Sequence, residues 1–402
     1  MRHDLFLQRS KNLRGRVTTG VSVDFTGKML GLPAALNGAS YGRASAKTCH
    51  QDGGVVALGY GQFGTTWDDV NGTYGFETEP AATNLALYSA GAVATYTASN
   101  VTDAVTPLTG WAASLQFGNN SVQRSATKSI SVASGTVYHI SIYIQMDDDS
   151  APVIGTTNST GDLSLTLNGV IATTNPLVKK VGSTGSLYRI SCARTASATA
   201  THEAGLTKYS GQSSKTFRVV GIQVETGSRA TSYIATDSAT ASRAADPLVM
   251  PLSAIRGFDL AQYTLFVQCR RDVVLGTNLY ALAFTNGGTS NRVGMSVNAS
   301  NVESWLVDSA GVSQVSFTGA TPGTATRKRA VSVSYNNFLS SQNGSTGTSD
   351  SSVDMPTGFT VLGIGNQNST PFNGGSPFNG FIHKASFITR AYTQTELNGL
   401  TA

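Results

Sequence analysis

The residues that could support catalysis are few and scattered along this sequence. A polysaccharide hydrolase needs two positioned carboxylates, and distant strands could supply them only if the fold gathered them. The candidates are Glu203, Glu225, Glu303 and Asp308. The five histidines belong to no HExxH motif, and no P-loop is present. The sequence therefore predicts a protein that is not an enzyme, with a polysaccharide depolymerase as an alternative.

The densest group of carboxylates is the run Asp147, Asp148 and Asp149, at the end of a predicted strand. Calcium prefers several oxygen ligands from a flexible loop, so calcium is a possible ligand here. The alternative, which we favour, is a solvated acidic turn. No cofactor other than this calcium is expected. The three cysteines form no CxxC motif, so neither a zinc site nor a disulfide framework is predicted.

The positive charge of the chain is concentrated at its N-terminus. The net charge is +5, and residues 1–50 hold eight Lys and Arg against two Asp. Such a segment suits an acidic protein surface. The candidate attachment residues are Arg2, Arg9, Lys11, Arg14 and Arg16. The rest of the chain lacks a basic face with interleaved aromatics, so nucleic acid is not an expected partner.

The start of the sequence has no apolar run of signal-peptide length, and no stretch is apolar enough for a membrane span. We therefore expect synthesis in a cytoplasm, without membrane insertion. If the protein acts outside a cell, assembly into a virion would carry it there.

The elements that must position these residues are predicted to be short β-strands. Charged residues make up only 13% of the chain, and turn residues are abundant. Residues 125–146 alternate polar and apolar side chains, the period of a sheet with one buried face. A second series of such strands begins near residue 263. Helix is predicted only at the C-terminus, where Thr393 and Glu396 fit a capping box.

The predicted fold is all-β, with two antiparallel β-sandwich (jelly-roll) domains preceded by an irregular N-terminal segment. At 402 residues the chain is too long for one ordinary core. Residues 1–82 form a basic, turn-rich particle-attachment segment that should gain its order by lying against another chain. Residues 83–246 form the first jelly roll and residues 247–402 the second. Residues 232–248, rich in small polar side chains, are predicted to be the linker.

Three stretches of the sequence resemble a family of phage tail-fibre and virion-associated proteins. The first runs from residue 42 to 90 and contains Arg43-Ala44-Ser45, Asp52-Gly53 and Thr83-Asn84-Leu85. The second, GIQVETGSRATSYIATDSATASRAAD at 221–246, is similar to the family signature that closes a jelly roll like those of carbohydrate-binding modules. Ala235 replaces the proline that is usual there.

The third stretch, FNGFIHKASFITRAYTQTELNGLTA at 378–402, resembles the final strand and short helix of concanavalin-A-like, laminin-G-type lectin domains. Together the three resemblances imply a virion structural protein, of tail fibre or head fibre type, whose two lectin-like domains face host-surface glycans. Fold similarity alone does not establish sugar binding.

Sugar recognition needs an aromatic face and a few planar polar groups. The carbohydrate-binding candidates are therefore Trp111, Trp305, Asn366, Gln367 and Asn368. For both tryptophans, packing in a sandwich core is the favoured alternative.

The function predicted from the sequence is that of a bacteriophage virion structural protein. It attaches to the particle by its N-terminus and presents lectin-like domains for host attachment through surface polysaccharide. Its other expected partners are virion proteins (portal, adaptor, capsid or tail) and further copies of itself, as a homotrimer. A purely architectural capsid decoration or connector-associated protein, without glycan binding, is the alternative.

Overall fold

The computed structural model describes most of the chain. The described residues are 20–36, 39–41, 45–60, 62–227, 229–246, 248–255, 259, 261–271, 279–286, 290–297, 302–318, 324–365 and 378–402. Their regular structure is almost entirely antiparallel β, as the composition predicted. Within these ranges no helix has the length and apolar character to cross a bilayer.

In chain order the strands are β1 (Gly20–Asp24), β2 (Ser40–Tyr41), β3 (Lys47–Gln51), β4 (Gly54–Leu58), β5 (Thr66–Asp68), β6 (Thr73–Thr78), β7 (Ala82–Asn84), β8 (Thr97–Ser99), β9 (Thr102–Asp103), β10 (Leu115–Phe117), β11 (Arg124–Val132), β12 (Val137–Met146), β13 (Ser164–Leu167), β14 (Val170–Ile171), β15 (Thr174–Lys180), β16 (Leu187–Thr195), β17 (Ala200–Lys208), β18 (Phe217–Thr226), β19 (Ala241–Arg243), β20 (Leu248–Pro251), β21 (Gln262–Arg270), β22 (Leu279–Thr285), β23 (Arg292–Val297), β24 (Glu303–Ser309), β25 (Val312–Thr318), β26 (Arg327–Ser334), β27 (Asn337–Gln342), β28 (Ser345–Asp350), β29 (Val361–Ile364) and β30 (Gly380–Ile388). Short 3-10 turns occur at Ala34–Leu36, Val93–Thr95 and Leu252–Ala254, and one α-helix, α1 (Gln394–Thr401), follows the last strand.

The first sandwich is built from a six-stranded and a five-stranded sheet. The six-stranded sheet has the order β15-β16-β12-β18-β10-β9, and the five-stranded sheet has the order β14-β13-β17-β11-β8. Alternate residues of these strands face each other across one apolar core, which includes Ile140, Ile142 and Ile144 of β12. The alternation seen in the sequence therefore produces a two-layer structure, although β12 and β18 in the middle of the six-stranded sheet are buried on both faces.

The second sandwich is built from a larger pair of sheets. One sheet runs β28-β27-β26-β21-β30-β6-β5 with β1 also paired to β30, and the other runs β2-β20-β29-β22-β23-β24-β25. Helix α1 packs Leu397 on the outer side of the first of these sheets, against Phe266 and Ala330. The predicted capping box is present, because Thr393 and Glu396 each bond the other's backbone N–H.

The N-terminal segment, predicted to be irregular, contributes strands to the second sandwich. Strand β30 pairs with β21 along one edge, and its other edge is shared between β6 and β1. Phe25, Phe63 and Phe76 enter the same core as Trp305. The expectation was that this segment gains its order by lying against another chain. The described residues among 20–78 instead pair and pack with the second sandwich of this same chain.

The first sandwich is consequently inserted between parts of the second. The chain leaves the second sandwich through β7 and returns through β19, and these two strands pair with each other. The predicted linker at 232–248 is packed at its two ends, where Tyr233, Ile234 and Arg243 are buried, and exposed at 237–240 between them. The sequence pattern missed this packing because single apolar residues in a turn-rich stretch carry no periodicity.

A cluster of buried charges fixes this junction. The ammonium group of Lys47 lies 2.8 Å from Asp246 Oδ2 and 3.1 Å from Glu79 Oε2. Arg243 pairs with the same two carboxylates, at 3.2 Å from Asp246 and 3.6 Å from Glu79. Burial disfavours the charged form of Lys47, but Asp246 and Glu79 outweigh it and hold the pKa of Lys47 above its usual value. The four side chains form a closed, paired set of charges between β3, the end of β6 and β19.

We predict that Lys47→Met strongly destabilises the protein. Removing one member of a buried ion pair leaves its partners charged and desolvated, which typically costs about 3–5 kcal/mol of the free energy of unfolding. Urea unfolding followed by tryptophan fluorescence measures this loss. The matched control is Lys28→Met, since Lys28 pairs with Asp52 where both side chains are about half exposed. The control should unfold like the parent protein, and equal losses in both variants would contradict this account.

Candidate functional site

The best candidate for a ligand site is an open groove at one edge of the six-stranded sheet, where β9, β10 and β18 lie side by side. Its volume is about 320 Å³. The groove is lined by Thr102, Asp103, Val105, Thr106, Gln116 and Arg218. Ligand sites in proteins begin at about 300 Å³, so the groove can accept one sugar-sized unit.

The register of the strands sets the polar groups of the groove in a row. Gln116 is the cross-strand neighbour of Thr102 on one side and of Arg218 on the other. Arg218 is in turn opposite Gln145 of β12. The residues that flank Gln116 and Arg218 on their own strands point to the sandwich core, which turns these polar side chains to the outer face.

Asp147 holds the row in place from the end of β12. Its carboxylate accepts a hydrogen bond from Gln116 Nε2 at 3.0 Å and another from the Thr216 hydroxyl. Arg218 Nε lies 3.4 Å from the other oxygen of the same carboxylate. Arg218 also donates to the Thr106 carbonyl at 3.2 Å. The amide and the guanidinium are therefore oriented by the protein before any ligand arrives.

The groove offers the chemistry of hydroxyl recognition. It combines an amide, a guanidinium, a carboxylate and two threonine hydroxyls, which together donate and accept hydrogen bonds. Val105 is fully exposed at its rim and can contact an apolar patch of a ligand. With Asp103 as its carboxylate, this set of polar groups can bind a ligand rich in hydroxyls.

The acidic run contributes Asp147 to this groove as a partner of protein side chains, whereas the calcium hypothesis has the carboxylates hold a metal ion. Each carboxylate contacts its own partners, since Asp148 pairs with Lys215 at 3.1 Å and Asp149 bonds Ser186 and Gln145. Hydrogen bonds from Ser150, together with Lys215, lower the pKa of Asp148 to about 2. In the described part of the chain, no three His, Cys, Asp or Glu side chains are grouped so that they could hold a metal ion.

The two candidate tryptophans pack against protein. Trp305 is 2% exposed and belongs to the second core, so its ring is not available to a sugar, and its candidacy as a carbohydrate contact is wrong. Trp111 is half-buried, with its ring centroid 5.1 Å from that of Tyr233 and 5.6 Å from that of Tyr143. The favoured alternative was that both tryptophans pack in a sandwich core. Trp305 does so fully, and Trp111 does so with part of its surface.

Several predicted residues lie outside the described ranges. They are the polar loop Asn366, Gln367 and Asn368 and the attachment candidates Arg2, Arg9, Lys11, Arg14 and Arg16. Their roles stay predictions.

The carboxylates considered for hydrolysis are not brought together. Glu203 lies on β17 of the five-stranded sheet, Glu225 on β18 of the six-stranded sheet, and Glu303 and Asp308 on β24 of the second sandwich. The sequence also contains one Gly-x-Ser-x-Gly match at 38–42 that sequence reasoning overlooked. Ser40 lies in β2, paired with Val249, and not in the strand-to-helix turn that exposes a nucleophilic serine.

Sequence reasoning also missed every residue of the groove. The available signal was the pattern of one planar polar residue between apolar neighbours, in Leu115-Gln116-Phe117 and Phe217-Arg218-Val219. Two such triplets become a site only when the strands pair in register, and a single sequence does not show that they are neighbours.

We predict that calcium leaves the melting temperature of this protein unchanged, because the three carboxylates of the acidic run already have separate partners. Thermal unfolding in excess calcium and in chelator measures the difference. A rise in melting temperature with calcium that Asp148→Ala abolishes would instead establish the metal site.

Comparisons with known proteins give only distant similarities. No family model and no curated protein sequence matches the chain. Among solved structures, the CBM40 of the Ruminococcus gnavus IT-sialidase is 13% identical and covers 36% of this chain and 84% of its own, with a TM-score of 0.32. The SAP-like pentraxin of Limulus polyphemus is 14% identical over 35% of this chain and 70% of its own, with a TM-score of 0.29. The Trypanosoma rangeli sialidase is 13% identical over 39% of this chain and 26% of its own, with a TM-score of 0.32. Similarities of this size assign neither a family nor a function to the chain.

Proposed function

We propose that this chain is a non-enzymatic, glycan-binding structural protein of a bacteriophage particle, in which the first sandwich contacts host-surface polysaccharide. The observation that carries the glycan-binding part is the groove at the edge of the six-stranded sheet. Its polar groups are aligned by strand register and oriented by Asp147. A preoriented row of this kind suits a ligand that presents several hydroxyls in a plane.

The accessibility of the groove also supports this proposal. The middle of the same sheet face is covered by the protein itself, as His50 of β3 bonds Tyr143 at 2.9 Å and Trp111 packs beside it. The strands at the β9 edge remain open, and Val105 is exposed there. A chain of sugars could therefore run along this edge and place one residue in the groove.

The particle role in this proposal is supported by the sequence resemblance to phage tail-fibre and virion-associated proteins. Arg2, Arg9, Lys11, Arg14 and Arg16 dock on an acidic surface of a portal, adaptor, capsid or tail protein. Several copies, as a trimer, then face the host together. Single glycan contacts are weak, and linked copies multiply their strength without new contacts.

We predict that the full chain binds a host-derived or arrayed surface glycan and that Arg218→Ala and Gln116→Ala each weaken the binding. Loss of a hydrogen bond that involves a charged group costs about 1.5–3 kcal/mol, so Arg218→Ala should reduce affinity by roughly 10-fold or more. Glycan arrays identify the ligand, and isothermal titration then measures the affinity of each variant.

The matched control for these variants is Gln123→Ala, since Gln123 is exposed on the same sandwich and does not line the groove. It should bind like the parent protein. Absence of binding to any glycan and to host cells would favour a purely architectural role. Release of reducing ends from the glycan would instead identify a depolymerase.

We predict that deletion of residues 1–19 prevents incorporation of the chain into particles while leaving both sandwiches folded. This deletion removes the five attachment candidates and stops before β1, which the second sandwich needs. Circular dichroism checks the fold, and immunoblots of purified particles measure incorporation. Particles that still carry the shortened chain would refute the docking role.

A further inference from the structure

A small cavity lies at the junction of the two sandwiches, between the outer face of the six-stranded sheet and the N-terminal segment. Its volume is about 20 Å³, enough for about one water molecule or one monatomic ion. Side chains from three parts of the chain line it. Lys179 and Arg189 come from β15 and β16, Arg229 and Ser232 from the segment after β18, and His50 and Glu77 from the N-terminal segment.

The wall of this cavity carries more positive than negative charge. Three cations, Lys179, Arg189 and Arg229, face one carboxylate, Glu77. Glu77 lies 2.9 Å from Arg229 and 3.9 Å from Lys179, so its charge is shared between those two. Arg189 makes its described hydrogen bond to an uncharged group, the Ser141 hydroxyl, at 2.9 Å.

Two further acids lie close to the wall, Glu79 and Glu225. Glu79 accepts a hydrogen bond from the Ser232 backbone N–H at 2.6 Å and is paired with Lys47 and Arg243. The Glu225 carboxylate accepts hydrogen bonds from the backbone and hydroxyl of Thr231. Burial raises the pKa of Glu225 above its usual value, although Arg189 and the Thr231 hydrogen bonds oppose that rise. Glu225 therefore has hydrogen-bond donors of its own in Thr231.

Two buried donors on the cavity wall lack a hydrogen-bond partner among the described residues. They are the Nε of Arg189 and the hydroxyl of Ser232, in side chains that are more than nine-tenths buried. A buried donor without an acceptor costs about 1–3 kcal/mol, so native structures rarely leave two beside one cavity. Both residues line the cavity, so an acceptor bound there is a candidate partner for each.

The state of His50 is consistent with a positive potential here. Burial, together with the nearby charges of Arg189 and Lys179, lowers the pKa of His50 to about 3. The ring is thus neutral at pH 7 and bonds the Tyr143 hydroxyl at 2.9 Å. It adds no charge of its own to the cavity.

We propose that this cavity binds a single monatomic anion, chloride under physiological conditions, which accepts hydrogen bonds from Arg189 and Ser232. An anion balances the excess positive charge of the cavity wall. A water molecule in the same place would leave that charge unbalanced. Since its ligands come from the first sandwich and from the segment that returns to the second, the anion ties the two sandwiches together.

The test compares thermal unfolding of the full chain in sodium chloride, sodium bromide and sodium gluconate at equal ionic strength. Binding to the folded state alone stabilises it by mass action, so the melting temperature should be roughly 2–4 °C higher in chloride and bromide. Arg189→Met should abolish this difference. The control, Arg194→Met on the same strand, should keep it, since Arg194 bonds the Ile171 carbonyl instead.

Two results would overturn the proposal: equal melting temperatures in halide and gluconate, or an undiminished halide effect in Arg189→Met. If Arg189→Met does not fold, Ser232→Ala takes its place, because the backbone bond from Ser232 to Glu79 is kept. Crystals soaked in bromide give an independent answer. An anomalous peak beside Arg189 supports the anion, and its absence at full soak means that water fills the cavity.

Discussion

The second sandwich depends on the closing of the two edges of β30. One edge pairs with β21, which lies in the same C-terminal half of the chain, but the other pairs with β6 and β1, which lie more than three hundred residues before β30. An unpaired edge in the middle of a sheet would leave buried backbone groups without partners. The second sandwich therefore cannot form from residues 247–402 alone, and the N-terminal segment is a structural part of it.

The pairing of β6 with β30 determines where the cluster of buried charges and the anion cavity lie in the structure. Once β6 is fixed beside β30, Glu77 and Glu79 are carried into the junction, where they must be neutralised. Lys47, Arg229 and Arg243 arrive from three other segments and do this. The outer face of the six-stranded sheet is then divided in two. Its middle is occupied by the junction, and its β9 edge, with Gln116 and Arg218, stays free for a ligand.

Much of the fold followed from the sequence, because alternation of side chains reports directly on burial. Strand β12, with Ile140, Ile142 and Ile144 in the core, and the capping box of Thr393 and Glu396 are examples. The role of residues 20–78 could not be predicted in this way. Phe25, Phe63 and Phe76 stand singly between turns, and only long-range pairing with β30 makes them core residues. The groove escaped prediction for the same reason, since Gln116 and Arg218 are a hundred residues apart until β10 pairs with β18.

The pairing of β7 with β19 determines how the first sandwich would carry a mechanical load. Asn84 is opposite Ala241 at the end nearer the first sandwich, and Ala82 is opposite Arg243 at the other end. A pull on a bound ligand would stretch both strands in the same direction, so their mutual hydrogen bonds would be neither sheared nor unzipped. Tension would be divided between two covalent tethers and would end at Arg243, whose guanidinium group is held by Asp246 and the Pro80 carbonyl.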